Sequence, residues 1–388
     1  MKAVDLFCGC GGMSLGFQNA GVEVLAAFDN WEPAINIYSD NFKHPVINCD
    51  LNGEDAVAQI KTYNPDIIIG GPPCQDFSHA GKRVEDKRAA LTEAYAKIIV
   101  EISPRWFVME NVDRAQKSAT YSVAKTILKD AGYGLTEVVL GASFCGVPQR
   151  RKRFFCIGSL GAADGFLTDY IMQQLDKSET TLRGYFGASL DFEYYYRHPR
   201  NYSRRAIYSI DEPSPTVRGM NRPVPPGYPG HPNDAHKLDA SIRALTTLER
   251  ALIQTFPPNF KWLGNKTDME QMIGNAVPVK LAEFVANALA YHIRSDIDEQ
   301  SFTVDYSLFF EWLSRTQKMT ERVQRDILSR LKRADSICTI LSEPEAYYVF
   351  LLEQTDAYKA LTPTVRSQLK RAVTLYSDYL KTGMAVNA

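Results

Sequence analysis

Residues Ala3-Val4-Asp5-Leu6-Phe7-Cys8-Gly9-Cys10-Gly11-Gly12 set the fold. Ala3–Phe7 is a short apolar run broken by one acid and reads as a strand. A glycine-rich turn follows, and Met13–Ala20 then has helical spacing. Glycines at such a turn allow a tight reversal and a close approach of ligand to backbone. Gly9, Gly11, Gly12 and Gly16 depart from the spacing of a dinucleotide fingerprint, which argues against a nicotinamide enzyme. The turn reads either as a ligand cradle or as a sharp strand-to-helix connection.

The pattern repeats downstream. Val22–Phe28, Pro45–Cys49, Ile67–Gly70 and Trp106–Met109 read as further strands. Pro33–Asn41, Glu54–Thr62, Thr92–Ile102 and Ser122–Ala131 read as the helices between them. Such alternation predicts an α/β fold, a doubly wound parallel sheet with helices on both faces. Leu135–Leu140 and Arg153–Ile157 would add strands as an antiparallel edge. Residues 161–242 lose this periodicity. They are rich in tyrosine, and Pro223–Pro232 is rich in proline and glycine, so they read as a small loop-rich insert. Helical spacing returns at Arg243–Thr255 and Leu281–Ile293. Ser295–Glu299 is a charged stretch that reads as a linker. Residues 300–388 read as all-helical, with Val323, Ile327 and Leu331 on one face and Val365, Leu369, Val373 and Tyr376 on another.

With 388 residues, two or three domains are expected. No apolar stretch is long enough for a membrane span. Asp5 interrupts what a secretory signal would need to keep apolar. The seven cysteines form no framework and no C-x-x-C pair, which points to a reduced, cytoplasmic compartment, at the nucleoid in a prokaryote. No metal-ligand pattern is present. Net charge is −1, but it is unevenly spread. Residues 195–223 hold Arg197, Arg200, Arg204, Arg205, Arg218 and Arg222 against Asp211 and Glu212, and Arg150-Arg151-Lys152-Arg153 lies upstream. A basic middle in a neutral chain suits local nucleic-acid binding or a solvated loop.

Several strand ends carry chemistry. Asp29 and Asp50 follow the second and third strands, where open α/β sheets bind ligands. Either could accept from a ribose diol or an adenine amine, or cap a helix. Gly70-Gly71-Pro72-Pro73-Cys74-Gln75 ends the fourth strand, and the polar stretch His79 to Arg88 follows. Two prolines leading to one cysteine suit a nucleophile under a loop, or a small buried side chain. Glu110-Asn111-Val112 puts a carboxyl at the fifth strand tip. In Gln149–Arg153, strand alternation would place Gln149, Arg151 and Arg153 on one face. Gly274-Asn275-Ala276-Val277-Pro278 leads into a helix.

This ordered set resembles the DNA cytosine-5 methyltransferase family, which uses S-adenosylmethionine and releases S-adenosylhomocysteine. The resemblance spans roughly residues 1–294 and also takes in Arg243–Pro257, with Leu245-Thr246 and Phe256-Pro257. It implies a Rossmann-like catalytic domain over residues 1–160, a target-recognition domain over 161–242, a return to the catalytic domain over 243–294, and a helical accessory extension over 295–388. It implies Cys74 as the nucleophile toward C6 of a flipped-out cytosine, Glu110 as the acid at N3 and the exocyclic amine, and Arg151 and Arg153 as the pair orienting base and acid. Phe7, Gly9, Gly11, Asp29, Asp50, Pro72 and Asn275 would form the cofactor pocket. Gln75, Ser78, Arg204, Arg205, Thr216, Arg218 and Arg222 would contact double-stranded DNA. A restriction endonuclease of the same system would be a partner. The oligomeric state and the target sequence are not legible.

The chain departs from the family in places. Asp29 stands where a glutamate is usual, Cys8 and Cys10 replace small or apolar residues, and Arg218–Pro232 has no family counterpart. The extension carries Arg322, Arg325, Arg330, Lys332 and Arg333 as a DNA-contacting face, or serves packing or dimerisation. A tRNA cytosine-5 methyltransferase is the rival reading, although its Cys-Phe-Thr signature is absent. A non-catalytic DNA-binding protein on the same fold is another.

Overall fold

The computed structural model describes residues 1–53, 55–73, 85–199, 201, 203–301, 304–316, 319–337, 340, 349, 352 and 355–382. Cys74, Gln75, Ser78, Arg200 and Tyr202 lie outside the described residues. The chain divides into two compact units, Met1–Ala290 and Tyr291–Ala388.

The first unit runs β1 (Lys2–Leu6), α1 (Gly12–Asn19), β2 (Glu23–Asp29), α2 (Glu32–Asn41), β3 (Val46–Asn48), α3 (Ala56–Lys61), β4 (Ile67–Gly70), α4 (Glu85–Ile102), β5 (Trp106–Val112), α5 (Ala119–Asp130), β6 (Tyr133–Gly141), β7 (Gln149–Arg150) and β8 (Lys152–Leu160). It continues through α6 (Thr168–Gln174), α7 (Leu182–Phe186), β9 (Tyr194–Tyr196), β10 (Ile207–Ser209), β11 (Ser214–Pro215), α8 (Thr247–Ile253), α9 (Lys266–Asn275) and into α10 (Val279–Ser301).

Seven strands form one sheet in the order β3-β2-β1-β4-β5-β8-β6. β1 pairs in parallel with β2 and β4, and β4 with β5. Ile67, Ile68 and Ile69 are fully buried, as a strand covered on both faces requires. Strand order reverses between β1 and β4, so the connections that leave their carboxyl ends run to opposite faces of the sheet, the place where open α/β sheets bind ligands. Gly70 has to be glycine: a Cβ would stand 2.4 Å from the Leu6 carbonyl oxygen.

The expected antiparallel edge is present: β8 joins β5 antiparallel, and β6 joins β8 antiparallel as the outermost strand. Two expectations need correction. β5 runs on through Glu110, Asn111 and Val112, because Phe155, Phe154 and Arg153 of β8 pair with them. Of the polar stretch after Cys74, Glu85–Arg88 already belong to α4.

The insert is mostly loop. β9 and β10 form a hairpin, and β11 pairs in parallel with β7. Leu182, Tyr195, Tyr208, Ile210 and Val217 pack with Leu245, Ala251, Ile253 and Ile273, so insert and returning segment share a core. α8 starts later than its spacing suggests, at a capping box in which Thr246 and Glu249 satisfy each other's backbone N–H groups.

The Ser295–Glu299 linker is instead helical, inside α10. The second unit holds α11 (Tyr306–Thr316), α12 (Glu321–Ile337), α13 (Asp356–Lys359) and α14 (Pro363–Lys381). Phe309, Trp312, Ile327, Leu331, Leu369, Val373, Tyr376 and Tyr379 make its core. Val323 is exposed rather than buried; Gln324 takes the inner position and donates to the Met319 carbonyl oxygen.

Candidate active site

The site is built from strand tips. After β1 the backbone turns left-handed at Phe7 (φ 58°), Gly9 (φ 53°) and Gly11 (φ 90°). For a phenylalanine this conformation is strained, by about 1–3 kcal/mol. At Gly11 a Cβ would lie 2.3 Å from the Phe42 ring, whereas nothing stands within 4 Å of the Cβ position at Gly9. The turn is tied to β2: the Gly9 N–H donates to Asp29 Oδ2 at 2.8 Å. Asp29 Oδ1 accepts from the N–H groups of Asn30 and Trp31. Asp29 therefore caps its own turn and still has one acceptor position on Oδ2. Asp50 is exposed and accepts from the Asn52 N–H at 3.0 Å.

Asp5 lies beneath this turn. Ser14 donates to its Oδ2 at 2.6 Å, and the Tyr38 hydroxyl donates to Ser14 and meets His44 Nε2 at 2.7 Å. Asp5 Oδ1 is buried and has no hydrogen-bond partner among the described residues. Burial pushes the Asp5 carboxyl up to about 7. The sequence gives the turn but not this chain, since Tyr38 and His44 are distant in sequence.

Two further tips meet at β4 and β5. Pro72 is buried, and its carbonyl oxygen accepts from Asn111 Nδ2 at 3.0 Å. A Cβ on Gly71 would sit 3.1 Å from Glu110 Oε2. The backbone that leads to Cys74 thus passes directly beside the Glu110 carboxylate. Glu110 is 7% exposed and forms an ion pair with Arg153, Nε to Oε1 at 2.7 Å. Burial raises the Glu110 pKa, against the opposing pull of Arg153 and Arg151. An acid so placed holds a proton at higher pH than an ordinary carboxyl.

Gln149 and Arg151 are buried while Arg150 and Lys152 are exposed, as alternation requires. The hydrogen bonds of Arg151 and Arg153 go to different groups. Arg153 sits on Glu110, but Arg151 donates to the carbonyl oxygens of Val217 (3.0 Å), Gly274 (3.0 Å) and Ala276 (3.1 Å). Arg151 braces two backbone segments by hydrogen bonds, while its charge still acts on Glu110. Gln149 completes the brace: its Oε1 accepts from the Val217 N–H at 2.9 Å, and its Nε2 donates to Gln254 Oε1 at 2.8 Å. Gln254 Nε2 donates in turn to the Ala276 carbonyl oxygen at 3.2 Å. Both polar backbone groups of Val217 are therefore held by buried side chains. Thr216 donates to the Arg150 carbonyl oxygen at 2.7 Å. Asn275, between the braced carbonyls, accepts at Oδ1 from Gln271. Gln254, Asn111, Arg250 and Glu270 were not legible as site residues. Arg250 pairs with Glu270 in the interior and donates to the Arg218 carbonyl oxygen.

Beside this brace lies a cleft of about 510 Å³, lined by Arg150, Arg197, Arg204, Arg205, Tyr208 and Arg218 among others. Arg222 is exposed and outside the lining.

The profile of the C-5 cytosine-specific DNA methylase family matches residues 1–290. The chain belongs to this family. It is a DNA (cytosine-5)-methyltransferase, which carries a methyl group to C5 of cytosine and settles the choice against the tRNA and non-catalytic readings. Among its relatives, the type II methyltransferase M.HindV of Haemophilus influenzae is 56% identical over 292 residues, covering 74% of this chain and 96% of that protein. M.HgiDI of Herpetosiphon aurantiacus is 57% identical over 295 residues, covering 76% and 95%. The fold of the S. pombe Dnmt2 methyltransferase is similar, with a TM-score of 0.59 at 17% identity, over 76% of this chain and 98% of that one. Residues 291–388 lie beyond the family match. Among the described residues no helix is long and apolar enough to cross a membrane.

Proposed function

We propose that methylation proceeds at the tips of β4 and β5, with Cys74 as the nucleophile and Glu110 as the acid, on a cytosine flipped out of a short duplex sequence. C5 of cytosine is a poor nucleophile. Addition of the Cys74 thiolate to C6, with Glu110 giving a proton to N3, turns C5 into an enamine carbon. After methylation, C5 loses its proton to a base, the C6–S bond breaks to release the Cys74 thiolate, and N3 returns its proton to Glu110. Arg153 fixes the Glu110 carboxyl toward the base, and burial favours the protonated form against the pull of the neighbouring arginines. The polar stretch after Cys74 would exclude water when the base is in place.

S-adenosylmethionine supplies the methyl group when bound. Phe7, Gly9, Gly11, Asp29, Asp50, Pro72 and Asn275 would hold it. In favour are the open space at Gly9, the spare acceptor position on Asp29 and the exposed Asp50 carboxylate, at the carboxyl ends of β1, β2 and β3 on one side of the sheet's switch point. Residues 161–242 would recognise the target, through Thr216, Arg204, Arg205, Arg218 and Arg222, with Gln75 and Ser78 near the flipped base. Residues 295–388 would be accessory. A restriction endonuclease cutting the same sequence is the partner expected of a type II enzyme.

The observation that carries this reading is the approach of the Gly71-Pro72 backbone to the Glu110–Arg153 pair. Transfer of labelled methyl to duplex DNA, with bisulfite sequencing of the product, tests it. Wild type should label one sequence context and Cys74→Ala none. Label surviving in Cys74→Ala would refute the assignment.

A further inference from the structure

Five arginines line the cleft of the insert, yet they are not equivalent. Arg150 makes a forked contact with Glu179 at 2.8–3.1 Å. Arg197 donates to the Thr216 carbonyl oxygen at 2.8 Å. Arg205 pairs with Glu212, and its guanidinium lies 4.3 Å from the centre of the Tyr208 ring. Arg218 donates to the His198 carbonyl oxygen. Arg204 is exposed, and its guanidinium has no partner among the described residues.

The backbone that carries Arg204 is nonetheless held on both sides. His231 Nε2 meets the Ser203 carbonyl oxygen at 3.2 Å. Asp234 Oδ1 accepts from the N–H groups of Ala206 (2.8 Å) and Ile207 (3.0 Å). Asp234 is itself fixed through Oδ2, which accepts from the Tyr228 hydroxyl and the His231 N–H. Tyr228 and His231 belong to the Pro/Gly-rich run that has no family counterpart. Together with Asp234, this run clamps residues 203–207.

A fixed backbone with a free guanidinium is what base reading requires. An arginine reads guanine through two donors at O6 and N7, and an arginine already forked onto a carboxylate has no such pair to offer. We infer that Arg204 is the specificity-determining arginine, reading a guanine of the target sequence, while Arg150, Arg197, Arg205 and Arg218 build the wall that holds the duplex against it. This rests on the reading of residues 161–242 as the target-recognition region.

The test compares full-length wild type, Arg204→Ala and Arg205→Ala on duplexes in which each base around the methylated cytosine is varied in turn. Arg204 is exposed, so its variant should unfold at the wild-type temperature, checked in the same samples. Arg204→Ala should lose discrimination at one guanine by about 5- to 150-fold and keep it elsewhere. Arg205→Ala should weaken methylation alike on all sequences. A uniform loss in Arg204→Ala with a shallower salt dependence would make it a phosphate contact and overturn the assignment. Unchanged preference would overturn it too, as would relaxation in Arg205→Ala alone. The underlying reading fails separately, in the wild type, if methylation shows no sequence preference there.

Discussion

Glu110 and Arg153 meet inside the protein at a strand tip; Arg204 and its neighbours line an open cleft between loops. In the first region charge is buried and paired, and each side chain is aimed by a strand. In the second it is exposed, and the backbone is held by side chains instead: Gln149 and Arg151 on Val217, Asp234 on Ala206 and Ile207. Chemistry on a fixed atom needs a rigid, desolvated site. Reading a sequence needs donors that stay free until DNA supplies the partner.

The largest expected effect lies on the catalytic side. Cys74→Ala should abolish methyl transfer while leaving DNA affinity in place, as a gel-shift titration would show. Glu110→Gln keeps the shape but removes the acid, so kcat should fall roughly 10²–10⁴-fold. A fall below tenfold would take Glu110 out of the proton path. On the recognition side, Arg151→Ala strips the buried Val217 and Gly274 carbonyl oxygens of their side-chain donor and should cost about 2–5 kcal/mol in urea unfolding. If Arg151 instead acts on the base, kcat would fall with stability intact.

Asp5 gives a smaller, pH-dependent effect. Its folded pKa is raised, so its stabilising contribution is complete below the unfolded value of about 4. That contribution is lost as pH rises through about 7. From pH 5.5 to 8 the wild type should lose roughly 2 kcal/mol more than Asp5→Asn. Equal losses would show Asp5 ionised throughout. Gln149→Ala should be smallest, about 1 kcal/mol, with sequence preference blurred more than kcat.

The same contrast governs what can be read from the sequence. Ile67–Ile69 announces a central strand because both faces are buried, and every turn after a parallel strand then falls on one edge. Glu110 was legible as a tip residue; that β5 continues through it was not, since Phe154 and Phe155 arrive from a distant strand. The insert has no period to read. Its order comes from amide and carboxylate contacts such as Gln149 to Gln254, 105 residues apart, which no local pattern encodes.

The central claim is that Cys74 bonds to the target base beside Glu110. Incubation with S-adenosylmethionine and duplex DNA carrying 5-fluorocytosine at the target position blocks the last proton loss, because C5 then has no proton to give. Mass spectrometry of the wild-type mixture should show a covalent complex of one chain with one duplex, with the modified peptide containing Cys74. Methylated DNA without any adduct, or an adduct that persists in Cys74→Ala, would contradict the account.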